Sequence, residues 1–403
     1  MENKKRNIYN FSIPLYYFFF FGGQCLVISY MNIYLEKHLG FGGTELGLYT
    51  GITPLIPAII IPFVGIISDR TERYKEIFLI FLGISLASAG ILSLQNMLPM
   101  VLLLGALFET ARASCISLAD VQVTEYCAQT NKNYGLFRMG GSVGWVTFGM
   151  LIGFLTDYIP LNTLLFPAYI ILVIISLLFA LFFPNIKGRT TRKSTKEAAS
   201  KKTSTENPII ALLHNRAYVV MLLFSVIVCM TGEACLSYSS NHLVSTLNSP
   251  ESIIGLNTAF NVVPEFLFFP AIAWFLKKFG FKKMYIAATI GAILRFGIYF
   301  LADNPYVFLL GSLFHCLGSG AYCAVNLAFM HKKVDASMFG TAVTLMGTVA
   351  TIARSIYGYC FGYIYDSLGS RYIFLSVLPL FVLLLVYLIK TRLFDEKAVE
   401  TTT

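Results

Sequence analysis

Twelve apolar stretches, each long enough to cross a lipid bilayer as a helix, run along the chain. A membrane-spanning helix needs about 20 consecutive apolar residues. The stretches are 11–35, 44–67, 76–95, 98–124, 134–156, 162–183, 214–240, 252–276, 283–301, 305–330, 338–364 and 371–390. The 403 residues are 56% hydrophobic and only 13% charged, a composition unlike that of soluble domains. We therefore predict an all-α membrane protein with twelve transmembrane helices.

The positions of the basic residues predict the orientation in the membrane. Loops that stay in the cytoplasm carry an excess of lysine and arginine. Of the 30 basic residues, four lie inside apolar stretches, only Lys37 and Arg371 lie in loops on one side, and the other 24 lie on the opposite side. Both termini are therefore predicted to be cytoplasmic. The first stretch lacks a small-residue cleavage site, so we interpret it as a retained span. The pattern fits a bacterial inner membrane, and the net charge of +9 requires no nucleic-acid partner.

One long polar stretch, residues 187–208, interrupts the apolar pattern. It is rich in lysine, serine and threonine and lacks apolar periodicity, which predicts a flexible cytoplasmic linker. The linker separates an N-terminal six-helix bundle, 1–186, from a C-terminal bundle with a short tail, 209–403. The sequence GFLTD at 153–157 recurs as GYIYD at 362–366, which is 209 residues later. We expect two pseudo-symmetric bundles around a midplane binding site, a known plan for transporters.

Eight full charges lie inside segments that otherwise have the composition of membrane spans. A charge at the bilayer centre costs roughly 2.5–3.5 kcal/mol even on the lenient insertion scale. The eight residues are Glu109, Arg112, Asp120, Arg138, Glu233, Glu265, Arg295 and Arg354. Each half contains two acids and two arginines, which indicates a paired or aqueous interior and favours a solute pathway.

The loop between the second and third stretches reads GIISDRTERYK at 65–75. It resembles the signature loop of the major facilitator superfamily, and it differs at Glu72, where that family usually has glycine. The resemblance implies the fold of that superfamily over the whole chain, with access alternating as the two halves rock. It also implies a conformational latch, for which we single out four residues: Gly65, Asp69, Arg70 and Arg73.

The start of the fifth span, YGLFRMGGSVGW at 134–145, is similar to the same region of the lactose permease-type oligosaccharide–proton symporters. The resemblance implies that Arg138 binds sugar hydroxyls and that Trp145 stacks on the sugar ring. Seven residues are two helical turns, so the two side chains face the same way. Asp120 stands where that family has an acid. We predict that Asp120 and Arg138 form a charge pair that binds substrate, and a purely structural pair is the alternative.

The resemblance extends to the C-terminal half. Glu265 corresponds to a sugar-binding glutamate linked to coupling, with Asn261 one turn before it, and Glu233 is similar to an acidic position in the seventh span. The spacing of 20 residues between Arg295 and His315 matches an arginine and a histidine of that family. Coupling requires a carboxylate that gains and loses a proton as its surroundings change. We predict Glu233, Glu265, Arg295 and His315 as coupling residues, and Glu265, His315 and Asn261 as substrate contacts.

Two departures from the family pattern limit which of the family's functional roles can be assigned to this chain. The proton-carrying glutamate of that family lies three residues after its histidine, and here that place is Gly318. The asparagine that follows the acid of the eighth span in that family is here Phe268. The first departure questions the proton mechanism, and the second questions a preference for galactosides.

These observations predict a secondary active transporter that moves a di- or oligosaccharide in symport with protons and acts as a monomer in the bilayer. The alternatives are the same fold carrying nucleosides or aromatic acids, a proton-independent facilitator or exchanger, and a non-transporting membrane sensor. The sequence contains neither a Walker motif nor metal-ligand spacing. We therefore expect no cofactor, no metal and no enzymatic activity.

Overall fold

The predicted apolar stretches are helical, because a bilayer core offers no water to backbone groups and a helix satisfies them internally. The structure, a computed structural model, describes residues 2–184, 208–268, 271–335 and 338–395, without the side chains of 2–5, 208, 229–236 and 267. Within these residues there are helices and no strands. The predicted linker lies outside the described residues except for Pro208, where a helix begins. The chain divides into two units, Met1–Lys201 and Lys202–Thr403.

Seven helices are described in the first unit, and they form six segments long and apolar enough to cross a membrane. The helices are α1 (Glu2–Leu39), α2 (Gly43–Ile52), α3 (Leu55–Thr71), α4 (Tyr74–Leu92), α5 (Leu98–Thr130), α6 (Tyr134–Thr156) and α7 (Leu161–Ala180). The predicted second span is divided into α2 and α3 at Pro54, which has no N–H to continue the helical hydrogen bonds.

Four segments described in the second unit are long and apolar enough to cross a membrane: Ile272–Leu301, Pro305–Lys333, Phe339–Leu368 and Ser370–Lys390. Eight α-helices are described in this unit. They are α8 (Pro208–His214), α9 (Arg216–Asn241), α10 (Ser252–Phe268), α11 (Ile272–Leu301), α12 (Pro305–Ser312), α13 (Tyr322–Lys333), α14 (Phe339–Leu368) and α15 (Ser370–Lys390). A π-helical turn, Cys316–Ala321, joins α12 to α13. Helix α11 kinks at Gly280, where φ is 76°, so it contains the end of the predicted eighth span and all of the ninth.

Equivalent contacts recur in the two units. In the first unit, the buried Tyr30 hydroxyl donates to the Gly149 carbonyl at 3.2 Å. In the second unit, the Tyr238 hydroxyl donates to the Gly358 carbonyl, also at 3.2 Å. Both bonds join the first span of a unit to its fifth, and the offsets are close to that of the repeated GFLTD and GYIYD sequences. The internal similarity of the halves therefore extends to individual hydrogen bonds.

Glycine permits the close contact between α1 and α6. A Cβ atom built on Gly140 would lie 2.6 Å from the Pro14 carbonyl oxygen, and one on Gly144 would meet the Phe18 backbone. Small residues at such positions let membrane helices approach closely. The glycines of the 134–145 sequence therefore fix α6 against α1, which positions Arg138 of the same helix.

In each unit, a phenylalanine that follows the last described helix packs against the other helices of that unit. Phe183 packs 5.0 Å from the Tyr16 ring, and its carbonyl accepts a hydrogen bond from Lys75 Nζ at 2.9 Å. Phe394 packs 4.7 Å from the Tyr285 ring, and its carbonyl accepts from the Lys282 backbone N–H at 3.1 Å. Phe394, four residues after the end of α15, is therefore part of the packed unit.

Replacing Phe394 with leucine is expected to lower the free energy of unfolding by about 1 kcal/mol. Leucine keeps most of the buried volume but loses the ring contacts, and Phe394 is completely buried. Thermal unfolding of the purified protein in detergent measures the change. The matched control is Phe63→Leu, the same replacement at a side chain that is 60% exposed. Equal effects of the two replacements would contradict the role of Phe394.

Candidate functional site

The first unit brings Asp120 of α5 and Arg138 of α6 together. Arg138 Nε lies 3.7 Å from Asp120 Oδ1, and about a third of each side chain is exposed. The Tyr17 hydroxyl of α1 donates to the same Asp120 oxygen at 2.7 Å. The predicted pair is therefore present, and it is partly open. A ligand in contact with it would meet guanidinium donors and a carboxylate acceptor.

Aromatic rings of α1 cover the guanidinium of Arg138. Its Cζ atom lies 3.8 Å from the centre of the Phe21 ring and 5.2 Å from that of Tyr17. Both distances are within the range of cation–π attraction. The sequence interpretation missed Tyr17 and Phe21, although they lie one turn apart on α1. Trp145 is half-buried two turns along α6, and among the described side chains it has no hydrogen bond or ring contact with the pair.

A second charged pair lies deeper in the first unit. Arg112 Nε donates to Glu109 Oε2 at 3.1 Å, one turn away on α5, and Arg112 also donates to the Gln24 side chain of α1. The spacing of three residues permits this pair within one helix. Both side chains are largely buried. The eight intramembrane charges thus include a closed pair at Glu109 and a more open pair at Asp120.

In the second unit, the predicted residues of three different spans form one hydrogen-bonded network. Arg295, which is 1% exposed, donates to His315 Nδ1 at 2.9 Å and to Asn261 Oδ1 at 3.1 Å. His315 Nε2 lies 3.5 Å from Glu265 Oε1. Since a guanidinium can only donate, His315 Nδ1 must accept, and the ring proton is assigned to Nε2. That proton points to Glu265, so the order of contacts is carboxylate, imidazole, guanidinium.

The network continues beyond the predicted residues. Arg295 Nε donates to the Tyr299 hydroxyl at 3.2 Å, which shares a 2.8 Å bond with Ser312 Oγ. Ser312 in turn donates to Asn257 Oδ1 at 2.6 Å. Tyr299 was missed, although it lies one turn from Arg295 on α11. The buried guanidinium is therefore bonded on all three nitrogens.

The π-helical turn after His315 redirects the residues that follow it. The spacing of seven and eleven residues predicts that Tyr322 and Asn326 share a polar stripe with His315. Asn326 instead accepts from Tyr285 at 3.0 Å and donates to Ser225 at 2.9 Å, in a separate buried cluster. A π turn inserts an additional residue and so rotates the later side chains.

Gly318 occupies a close contact between helices. A Cβ atom there would lie 3.3 Å from backbone atoms of Ala292, and one on Gly291 would lie 2.7 Å from Leu317 Cβ. A glutamate at 318 would therefore require α11 and the π turn to separate. Phe268 stacks on Phe275 with ring centres 5.3 Å apart, so its surroundings are apolar. Both departures from the sugar symporter pattern thus fit the local packing.

The remaining two of the eight intramembrane charges are Glu233 and Arg354. The side chain of Glu233 lies outside the described residues, so its coupling role stays a prediction. Arg354 on α14 is half-buried.

The predicted latch loop joins α3 to α4. The Tyr74 hydroxyl donates to Asp69 Oδ1 at 2.5 Å, while Arg70 and Arg73 are exposed. A Cβ atom on Gly65 would meet no described atom within 4 Å, so this structure gives no close helix contact at that glycine. Glu72 ends α3 with φ 55° in the left-handed region.

Replacing Glu72 with glycine is expected to raise the free energy of unfolding by about 1 kcal/mol, because glycine adopts positive φ without steric cost. Thermal unfolding measures the change. Glu76→Gly is the control, since Glu76 lies in the first turn of α4, and glycine inside a helix should lower stability by about 1 kcal/mol. A decrease for both variants would contradict strain at Glu72.

The comparisons with known proteins all match membrane transporters. The model of the MFS_1 like family matches residues 11–376. The chain is 20% identical to the maltose permease of Geobacillus stearothermophilus, with 94% of each chain covered. It is 22% identical to the sucrose permease of Escherichia coli, with 95% of this chain and 93% of the permease covered.

Solved structures share the fold at low sequence identity. The crystal structure of the nucleoside transporter NupG matches with a TM-score of 0.78 at 16% identity. The match covers 96% of this chain and 99% of that transporter. It shows the fold alone.

Proposed function

Because the chain belongs to the MFS_1 like family of the major facilitator superfamily, we propose that it is a secondary active transporter for a di- or oligosaccharide in symport with protons. Membership of this family makes it an integral membrane transporter of a small molecule rather than an enzyme. In this proposal, access to the binding residues alternates between the two sides of the membrane. The energy comes from the proton gradient.

The observation that carries the proposal is the arrangement around Arg138. A guanidinium offers a fork of donors that suits paired hydroxyls, and Asp120 beside it accepts hydrogen bonds. Phe21, which is half-buried, supplies an apolar ring face next to these groups, and the fully buried Tyr17 holds Asp120 through its hydroxyl. A sugar presents hydroxyls at its edge and an apolar face, so it matches all three kinds of contact. The sugar permeases among the relatives support the same substrate class.

A nucleoside is the second candidate. Its ribose offers paired hydroxyls to Arg138 and Asp120, and its base could stack on the ring of Phe21 as a sugar face does.

For coupling, we propose that Glu265 exchanges a proton while His315 and Arg295 hold its surroundings. The proton affinity of a carboxylate beside a neutral imidazole and a buried guanidinium changes when either of these contacts changes. Glu233 is the other coupling candidate. At Gly318 a Cβ atom would lie 3.3 Å from the Ala292 backbone, so the acid of the sugar symporters would require the neighbouring helix to shift.

We also propose the remaining organisation. The chain works as a monomer in a bacterial inner membrane, with residues 1–186 and 209–403 as the two bundles and 187–208 as a cytoplasmic linker. Both termini are cytoplasmic. Gly65, Asp69, Arg70 and Arg73 form the conformational latch.

Uptake into proteoliposomes with an imposed inward proton gradient tests the proposal. The panel contains disaccharides, nucleosides and aromatic acids. Gradient-driven accumulation of a disaccharide that is lost in Asp120→Asn supports the sugar proposal, and accumulation of a nucleoside supports the second candidate. Asp303→Asn is the control, since Asp303 is exposed at the start of the α12 region.

The Glu265→Gln variant tests coupling separately. We expect it to lose uphill accumulation while it keeps exchange of substrate across the membrane. Accumulation by Glu265→Gln at the wild-type level would exclude Glu265 and leave Glu233. Uptake by the wild-type protein that does not depend on the proton gradient would indicate a facilitator.

A further inference from the structure

An apolar groove lies in the second unit between the end of α10, the start of α11 and the π turn after His315. It encloses about 260 Å³, and Phe268, Phe275, Phe279, Met284 and Leu317 line it. The rings of Phe268, Phe275 and Phe279 lie nearly parallel, with centres 5.3 and 6.1 Å apart along the series. They form a continuous apolar wall along the groove.

The groove continues onto an exposed apolar stripe of α11. Ala287 lines the groove, and Ile290, Leu294 and Leu301 follow at three-, four- and seven-residue intervals with 42%, 44% and 72% exposure. Residues at this spacing share one helix face. In a membrane protein such a face contacts acyl chains, so the groove opens onto lipid.

The other end of the groove is basic. Lys283 lines it, and Lys278 lies 4.7 Å from the Trp274 ring and 5.4 Å from the Phe279 ring. Trp274 is 56% exposed, as expected of a tryptophan at a membrane–water interface. Lys282 is already paired with Asp395 at 2.9 Å. Lys283, at the groove, and Lys278, beside it, lie where the predicted eighth span ends and the ninth begins, which places both near a membrane surface.

We propose that this groove is a binding site for an anionic phospholipid, with one acyl chain along the phenylalanine wall and the phosphate between Lys278 and Lys283. Basic pockets between transmembrane helices bind anionic headgroups, and each lysine near the surface strengthens binding about fivefold. The phenylalanine wall supplies the apolar contact that a free phosphate would not use. The site uses neither Arg138 nor the Arg295 network, so it does not depend on which solute is transported.

Tryptophan fluorescence tests the proposal directly, because the chain has only two tryptophans. In a Trp145→Phe background, Trp274 is the only tryptophan, and excitation at the red edge of the absorption band selects it over the tyrosines. Phosphatidylglycerol with brominated acyl chains is titrated into the full-length protein in detergent, and brominated phosphatidylcholine is titrated in parallel. We expect phosphatidylglycerol to quench Trp274 at a concentration at least fivefold lower than phosphatidylcholine. Equal quenching by the two lipids would overturn the proposal.

Two kinds of variant locate the site. Lys283→Gln should reduce the preference for phosphatidylglycerol about fivefold, whereas Lys390→Gln, at an exposed lysine that ends α15, should leave it unchanged. Ala287→Phe should fill the groove and remove quenching by both lipids with circular dichroism unaltered. If it does not fold, Lys278→Gln is the second test and should act as Lys283→Gln does. An unchanged preference in both lysine variants, or relief of quenching by glycerol phosphate alone, would overturn the proposal.

Discussion

Replacing Arg295 with glutamine is expected to lower the free energy of unfolding by about 3–5 kcal/mol, the cost typical of removing one partner of a buried ionic network. Arg295 is 1% exposed and donates to Asn261, Tyr299 and His315. Its removal leaves these acceptors without a donor in a region that excludes water, and it leaves Glu265 without a nearby positive charge. Thermal and denaturant unfolding in detergent measure the loss.

The matched control for this prediction is Arg371→Gln. Arg371 pairs with Asp303, and the two side chains are 36% and 81% exposed. Exposed ion pairs contribute about 0–1 kcal/mol, so this variant should stay close to wild type. Arg295→Lys should recover only part of the loss, because an ammonium group cannot reach three acceptors in the guanidinium geometry. Similar small losses for Arg295→Gln and Arg371→Gln would mean that the network contributes little to the fold.

The helices were predictable from the sequence because the bilayer thickness sets their length. The predicted stretches 98–124 and 134–156 became Leu98–Thr130 and Tyr134–Thr156. The break at Pro54 and the π turn at Cys316–Ala321 were not predicted. An apolar segment has the same hydropathy whether its backbone is continuous or locally rewound, so hydropathy alone does not reveal either feature.

The candidate site was predictable where a motif or spacing marked it. The choice of Arg295 and His315 followed from a spacing shared with a known family, and the Asp120–Arg138 pair followed from a resemblance to the same family. Tyr17 and Phe21 were missed because they lie in a helix rich in aromatic residues. The local sequence does not distinguish rings that contact Arg138 from rings that only pack against neighbouring helices. Their partner Arg138 is more than 100 residues away, and helix pairing over that distance leaves no local periodicity.

The break in the polar stripe shows a limit of spacing arguments. His315 and Asn326 are eleven residues apart, which is about three turns of a regular α-helix. The π turn between them adds a residue, and Asn326 bonds to Tyr285 and Ser225 instead. The same turn brings Gly318 against Ala292. The absence of an acid at 318 therefore has a packing reason, and an acid elsewhere must carry the proton if transport is coupled.

Replacing Arg138 with lysine is expected to weaken substrate binding by about 10- to 100-fold, the effect of losing one or two charge-assisted hydrogen bonds. Lysine keeps the positive charge beside Asp120, so the protein should fold normally. It lacks the planar fork that bonds paired hydroxyls and stacks on Phe21. Binding is measured by titration calorimetry with the substrate found in the uptake panel.

The Arg138→Lys result separates substrate binding from a structural role. Arg392→Lys, the same replacement at an exposed arginine after the last helix, should bind substrate as wild type does. If the Asp120–Arg138 pair is only structural, Arg138→Lys should keep full affinity, since a lysine can also pair with the carboxylate. Loss of affinity with an unchanged melting temperature therefore requires the guanidinium itself to contact substrate. That outcome would identify the ring-covered arginine of α6 as the part of the first unit that recognises the solute.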